Sequence, residues 1–184
     1  MRADALRNRE AILAAAEEVF RESAQASMAD VASRAGVGRV TLYAHFANRG
    51  ELIDAVFERT VTESSAHLSA LDLAGDEVEA LTRLIESSWR VVHRERAILA
   101  VAEQELPTER IRAHNDASLK RVRDLIERGQ QSARFRRDLS ADWLTSVFFS
   151  TVHGAAAEIE AGRLPDDEAG DVVLRTLTSL FTAR

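Results

Sequence analysis

Apolar residues recur along this chain with a period near 3.6, and no stretch alternates with period two, so the pattern predicts helices throughout. Ile12, Leu13, Ala16, Val19 and Phe20 make the stripe of a first helix over roughly 4–23. Ser27 followed by Asp30 reads as a capping box opening a short second helix, which Gly36 ends. A third short helix runs from Arg39 to His45. Asn48 caps a long fourth, with Glu51 three residues on. Gly75-Asp76 breaks the chain and caps a fifth, in which Leu81, Leu84, Ile85 and Trp89 face inward. A short sixth covers Arg96 to Glu105, and Pro107 opens a seventh that reaches Gly129 or Ser132. Phe135 falls in the next loop, Ser140 caps an eighth helix to about Ala161, and Pro165 opens a ninth. The fold class expected is all-α, with about nine helices: a three-helix N-terminal module over 1–48 and a larger helical domain over 49–184.

Composition agrees with this and removes several functions. Eight glycines, two prolines and no cysteine leave few breakers and exclude disulfides, thiol catalysis and cysteine-held metals. No H-E-x-x-H, G-x-S-x-G or phosphate loop occurs, and Gly36-Val37-Gly38 lacks a third glycine and a preceding strand. The five histidines show no metal spacing, so the expectation is no enzyme, no catalytic residue, no metal and no cofactor. No apolar run is long enough for a leader or a bilayer span, which predicts a soluble, cytoplasmic protein with no membrane partner. Net charge is −6, unevenly placed: residues 1–50 carry seven arginines and six acids, the remainder 17 basic and 24 acidic residues. Any contact with nucleic acid must therefore come from the N-terminal end.

Ala32, Gly36 and Leu42 stand in the spacing A-x3-G-x5-L, which two helices crossing over a tight turn require. Ala32 permits close approach, Gly36 can take positive φ, and Leu42 fills the core beneath. Such a pair presents its second helix to the major groove. Arg39 there can reach a guanine edge or a phosphate, Thr41, Tyr43 and His45 can bond phosphate oxygens, and Val40 can touch a thymine methyl.

The runs R-E-A-I-L-A-A-A-E-E-V-F and S-M-A-D-V-A-S-R-A-G-V-G-R-V-T-L-Y-A-H-F-A-N-R-G-E-L resemble the DNA-binding region of the tetracycline-repressor (TetR) family of bacterial transcriptional regulators. The resemblance covers residues 9–52, with T-L-Y-A-H-F its most distinctive part. It implies DNA contacts at Ser27, Arg39, Thr41, Tyr43, His45 and Arg49; Phe46, under the turn into helix four, is expected in the core. The chain departs from the family at Arg49, where Lys is frequent, at Gly50, where an acid is usual, at Val40, where a small residue is common, and near Ala24, where a glycine usually stands.

The eighth helix is apolar almost all round, so it must be covered on more than one side. This predicts a two-fold interface with a second copy through Trp143, Val147, Phe148, Val152, Ala155, Ala156 and Ile159, joined by Val173, Leu177 and Phe181 of the ninth. The resemblance implies the same pairing, and a small-molecule effector among helices four to seven. Candidate lining residues are Val61, Trp89, His93, Asn115 and Phe148. The function expected is a repressor released from a near-palindromic double-stranded operator by that effector. Two other classes stay open: a helical protein-interaction adaptor whose helix-turn-helix does not bind DNA, and a helical enzyme.

Overall fold

A computed structural model describes residues 2–182. They form ten helices and no strand: α1 (Arg2–Glu22), α2 (Met28–Ala35), α3 (Arg39–His45), α4 (Arg49–Ser69), α5 (Glu77–Arg94), α6 (Arg96–Glu105), α7 (Thr108–His114), α8 (Asp116–Gln131), α9 (Ala141–Glu160) and α10 (Asp166–Phe181). Among the described residues no helix is long and apolar enough to cross a membrane.

Local chemistry places these boundaries. The α2 capping box forms as expected: the Asp30 amide donates to Ser27 Oγ (3.3 Å) and the Ser27 amide to Asp30 Oδ2 (2.8 Å). Asp76 Oδ1 accepts from the amides of Val78 and Glu79, and Ser140 Oγ from that of Trp143.

The predicted seventh helix is two helices. Asn115 leaves helical geometry at φ −95°, ψ 2°, and α8 starts after it. Ile111 and Leu119 both remain buried, so the apolar stripe runs past the break and periodicity cannot register it.

The chain forms two compact units. The first joins residues 1–62 to residues 97–114; its buried residues include Ile12, Ala16 and Phe20 of α1, Val31 of α2, Leu42 of α3, Leu52, Ile53 and Val56 of α4, and Ile98 and Val101 of α6. The second comprises 63–96 and 115–184, with a core drawn from α5, α8, α9 and α10 around Leu81, Ile85, Ile126, Leu144, Phe148, Leu177 and Phe181.

Phe135 is the core residue that the loop reading missed. It is 1% exposed and packs edge-to-face on Phe181, with ring centroids 6.5 Å apart. The backbone fastens it: the amides of Arg134 and Phe135 both donate to Gly129 O (2.9 Å each), and the Arg136 amide to Phe181 O (3.0 Å). Gly129 lies inside α8 rather than ending it, and a Cβ there would meet the Phe135 ring at 2.1 Å.

Most of the residues expected at the interface are buried within the single chain. Phe148, Val152, Ala155, Ala156, Val173, Leu177 and Phe181 are all at most 9% exposed within a single chain. All but Ala156 belong to the core cluster of the second unit. The apolar circumference of α9 is explained by its own neighbours α5, α8 and α10. Trp143 (58% exposed) and half-buried Val147 do lie at the surface, above a shallow groove with Ser146, Ser150 and Thr151.

Candidate nucleic-acid interface

The helix-turn-helix is built from α2, the turn 36–38 and α3. Gly36 adopts φ 67°, ψ 25°, which residues with a Cβ rarely take, and its amide with that of Val37 closes the end of α2. No atom would obstruct a Cβ at Gly36, so backbone conformation alone requires glycine there. Ala32 (4% exposed) and Leu42 (0%) are buried beneath the turn, as the spacing predicts. Phe46 ends α3 at 2% exposed and takes the core role expected of it.

Leu42 is the one buried residue of α3, and this orients the helix. Arg39, Val40, Tyr43 and Ala44 are exposed, Val40 to 87% and Tyr43 to 51%, while Thr41 and His45 are half-buried. Five of the candidate contacts thus share one short, outward-facing helix. Ser27 is exposed, but its hydroxyl is engaged in the α2 cap, donating to Asp30 Oδ2 at 2.7 Å.

Arg49 is placed differently from the expectation of a phosphate contact. Its Nε donates to Ala26 O (3.2 Å) and its Nη2 to Ala24 O (2.5 Å), while Nη1 pairs with Glu105 of α6. The guanidinium carbon lies 5.3 Å from the centre of the Phe20 ring. A planar fork with five donors can serve two carbonyls and a carboxylate together. The turn carbonyls it satisfies lie where the family's usual glycine is replaced.

The start of α4 is capped reciprocally without an acid at position 50. The Glu51 amide donates to Asn48 Oδ1 and the Ala47 amide to Glu51 Oε2, both at 2.9 Å. A second polar cluster was invisible in sequence because its members lie 56 and 60 positions apart. Arg110 grips both oxygens of Asp54 (2.8 and 2.7 Å), and His114 Nε2 reaches Oδ1 at 2.8 Å. The Arg110 hydrogen bond, ahead of that from His114, holds the Asp54 carboxyl below the usual carboxylate range against the opposing effect of burial. With Arg49–Glu105, this cluster ties α4 to α6 and α7 within the first unit.

The candidate effector residues are dispersed. Trp89 and Phe148 belong to the core of the second unit, and His93 lies 5.4 Å from the Trp89 ring and pairs with Asp166. Asn115 sits at the start of α8, and Val61 belongs to the first unit. Open grooves on the surface are lined by other residues, such as Arg136, Thr176 and Thr182 in one and Glu22, Asp30 and Arg34 in another. Among the described residues no group of three or more His, Asp or Glu could hold a metal ion.

The family model described as bacterial regulatory proteins, tetR family, matches residues 12–56, the segment carrying this helix-turn-helix. The chain carries the DNA-binding region of the tetR family at its N-terminal end. It is 27% identical to the transcriptional repressor LfrR of Mycolicibacterium smegmatis, over 94% of this chain and 89% of that protein. Among solved structures, a TetR family transcription regulator from Marinobacter aquaeolei shares the fold at TM-score 0.67 and 18% identity, with both chains fully covered. FadR of Bacillus subtilis, solved in complex with stearoyl-CoA, shares it at TM-score 0.70 and 20% identity, over 92% of this chain and 97% of that one. The chain is a TetR-like DNA-binding transcriptional regulator.

Proposed function

We propose that this regulator is a repressor that grips a near-palindromic operator with α3 and lets go when a small molecule binds. The outward face of α3, carrying Arg39, Val40 and Tyr43 above a buried Leu42, is the observation that supports the DNA-reading half of this proposal most directly. Arg39 reads a base edge; Thr41, Tyr43 and His45 supply hydroxyl and ring donors to backbone phosphates. Arg49 holds the turn from which α2 springs and is left out of the phosphate contacts. The DNA-reading role is assigned to 1–48 and effector response with self-association to 49–184. The cytoplasm, with the chromosome, is the working compartment, and no chemistry is catalysed.

Two copies are needed to read a palindrome. Their meeting face is the outer side of α9, where exposed Trp143, Ser150, Gly154 and Ala157 follow one another at helical spacing with half-buried Val147. Trp89 and His93 on α5 are the effector contacts we favour, an indole and an imidazole side by side. LfrR is named a repressor and FadR of Bacillus subtilis was solved with an acyl-CoA; both facts favour a repressor with an organic effector here.

The test is enrichment of genomic fragments by the full chain, then fluorescence anisotropy of the enriched duplex at several salt concentrations. Nanomolar, sequence-dependent binding that weakens steeply with salt is expected. Arg39→Ala lowers the ratio of cognate to random affinity roughly tenfold, the worth of one base contact. Failure to enrich any sequence overturns the proposal. For the effector, a Trp143→Phe chain leaves Trp89 the sole indole, and ligands are screened by its emission.

A further inference from the structure

We infer that α3 selects its operator largely by the 5-methyl groups of thymine, with Val40 and Ala44 as the contacting side chains. The inference rests on the DNA-binding reading above and deepens it. Val40 is 87% exposed, an isopropyl group held in water by the first turn of a helix and burying nothing in the fold. Ala44 follows four residues later on α3 and is also exposed, so the two lie along one side of the helix. Gly38, just before the helix, contributes no side chain.

The polar inventory of α3 is correspondingly short. Adenine is read in the major groove by Asn or Gln and cytosine by Asp or Glu, and none of these four occurs among the seven residues of α3. Arg39 is the one side chain there with the paired donors that fit guanine O6 and N7. Thr41 and His45 are half-buried, and Tyr43 carries a single hydroxyl. What remains toward the groove is apolar, and the one apolar group a base edge presents there is the thymine methyl. Covering both removes apolar surface from water, a gain available nowhere else to Val40.

The experiment uses the full chain and the duplex it selects from a random pool. Each thymine of one half-site is replaced in turn by deoxyuridine, which deletes the methyl and keeps the pairing. Wild-type binding is expected to fall roughly three- to fivefold at one or two positions, the worth of one buried methyl. Val40→Ala, with an unchanged melting temperature, is expected to bind thymine and uracil duplexes equally at one of those positions while keeping its guanine preference. Deoxyuridine tolerated at every position, or a wild-type ratio retained by Val40→Ala, overturns the inference and leaves the DNA-binding reading standing. A chain that selects no duplex at all overturns that reading itself.

Discussion

The guanidinium of Arg49 satisfies two carbonyls of the α1–α2 turn and one carboxylate of α6 at once. Removing it leaves Ala24 O and Ala26 O without their donor and Glu105 without its partner. Arg49→Ala is expected to cost about 2 kcal/mol, since hydrogen bonds to charged groups are worth roughly 1.5–3 kcal/mol each and these are partly solvated. That corresponds to a melting temperature lower by roughly 4–8 °C for a chain of this size. Circular dichroism reads it directly; an unchanged melt with weakened binding to every DNA sequence would return Arg49 to the phosphates. Asp54 makes a pH-dependent contribution. Its folded pKa is lowered, chiefly by Arg110, so the stabilisation is full above the unfolded aspartate value, roughly 3.9, and is lost as pH falls through the lower folded value. Asp54→Asn should therefore lower the unfolding free energy read from urea melts at pH 7 by about 1–2 kcal/mol, and have a much smaller effect near pH 3. A gap that persists undiminished in acid would show the carboxylate charge to be irrelevant.

Helices were legible wherever a cap or a stripe spelled them out. The α2 box of Ser27 and Asp30, the bounds of α3, and Asp76 and Ser140 at their helix starts all follow from residue types acting on the backbone within three positions. The exposed face of α3 was legible too, because a seven-residue helix with one buried leucine has little choice of orientation. Features that depend on distant partners were not. Nothing near Arg49 announces Glu105, nor does anything near Asp54 announce Arg110 or His114. The all-apolar α9 was ambiguous between a second copy and its own neighbours, which periodicity cannot tell apart. Phe135 went unseen because a loop phenylalanine carries no period, and the glycine that admits it is six residues upstream. Gly129→Ala tests that pairing. Helix propensity alone favours alanine by about 1 kcal/mol, yet the new Cβ would collide with the Phe135 ring at 2.1 Å. Overpacking of this kind costs roughly 1–3 kcal/mol, so the variant is expected to melt earlier than wild type. A higher melting temperature would mean that Phe135 can withdraw freely.

At the scale of the whole molecule, core and assembly make opposite predictions for neighbouring positions. Leu177 is 0% exposed within the second unit, so Leu177→Asp buries a carboxylate among apolar groups and is expected to leave that unit unfolded. It would not yield a folded monomer. Ala157→Glu, on the exposed side of α9, should keep the melting temperature and halve the mass measured by light scattering. A folded Leu177→Asp chain of half the mass would restore α10 to the interface.

The backbone passes from one unit to the other three times, after residues 62, 96 and 114. Exchanging reading heads between relatives by a cut at residue 48 would therefore strand partners on the wrong side. Arg49, Asp54, Glu105, Arg110 and His114 would all come from the recipient, facing a foreign α1–α2 turn. A working transplant has to carry 97–114 along with 1–62, two pieces moved as one, and breeding new specificities into this scaffold means treating a mid-chain segment as part of the hand that holds the DNA.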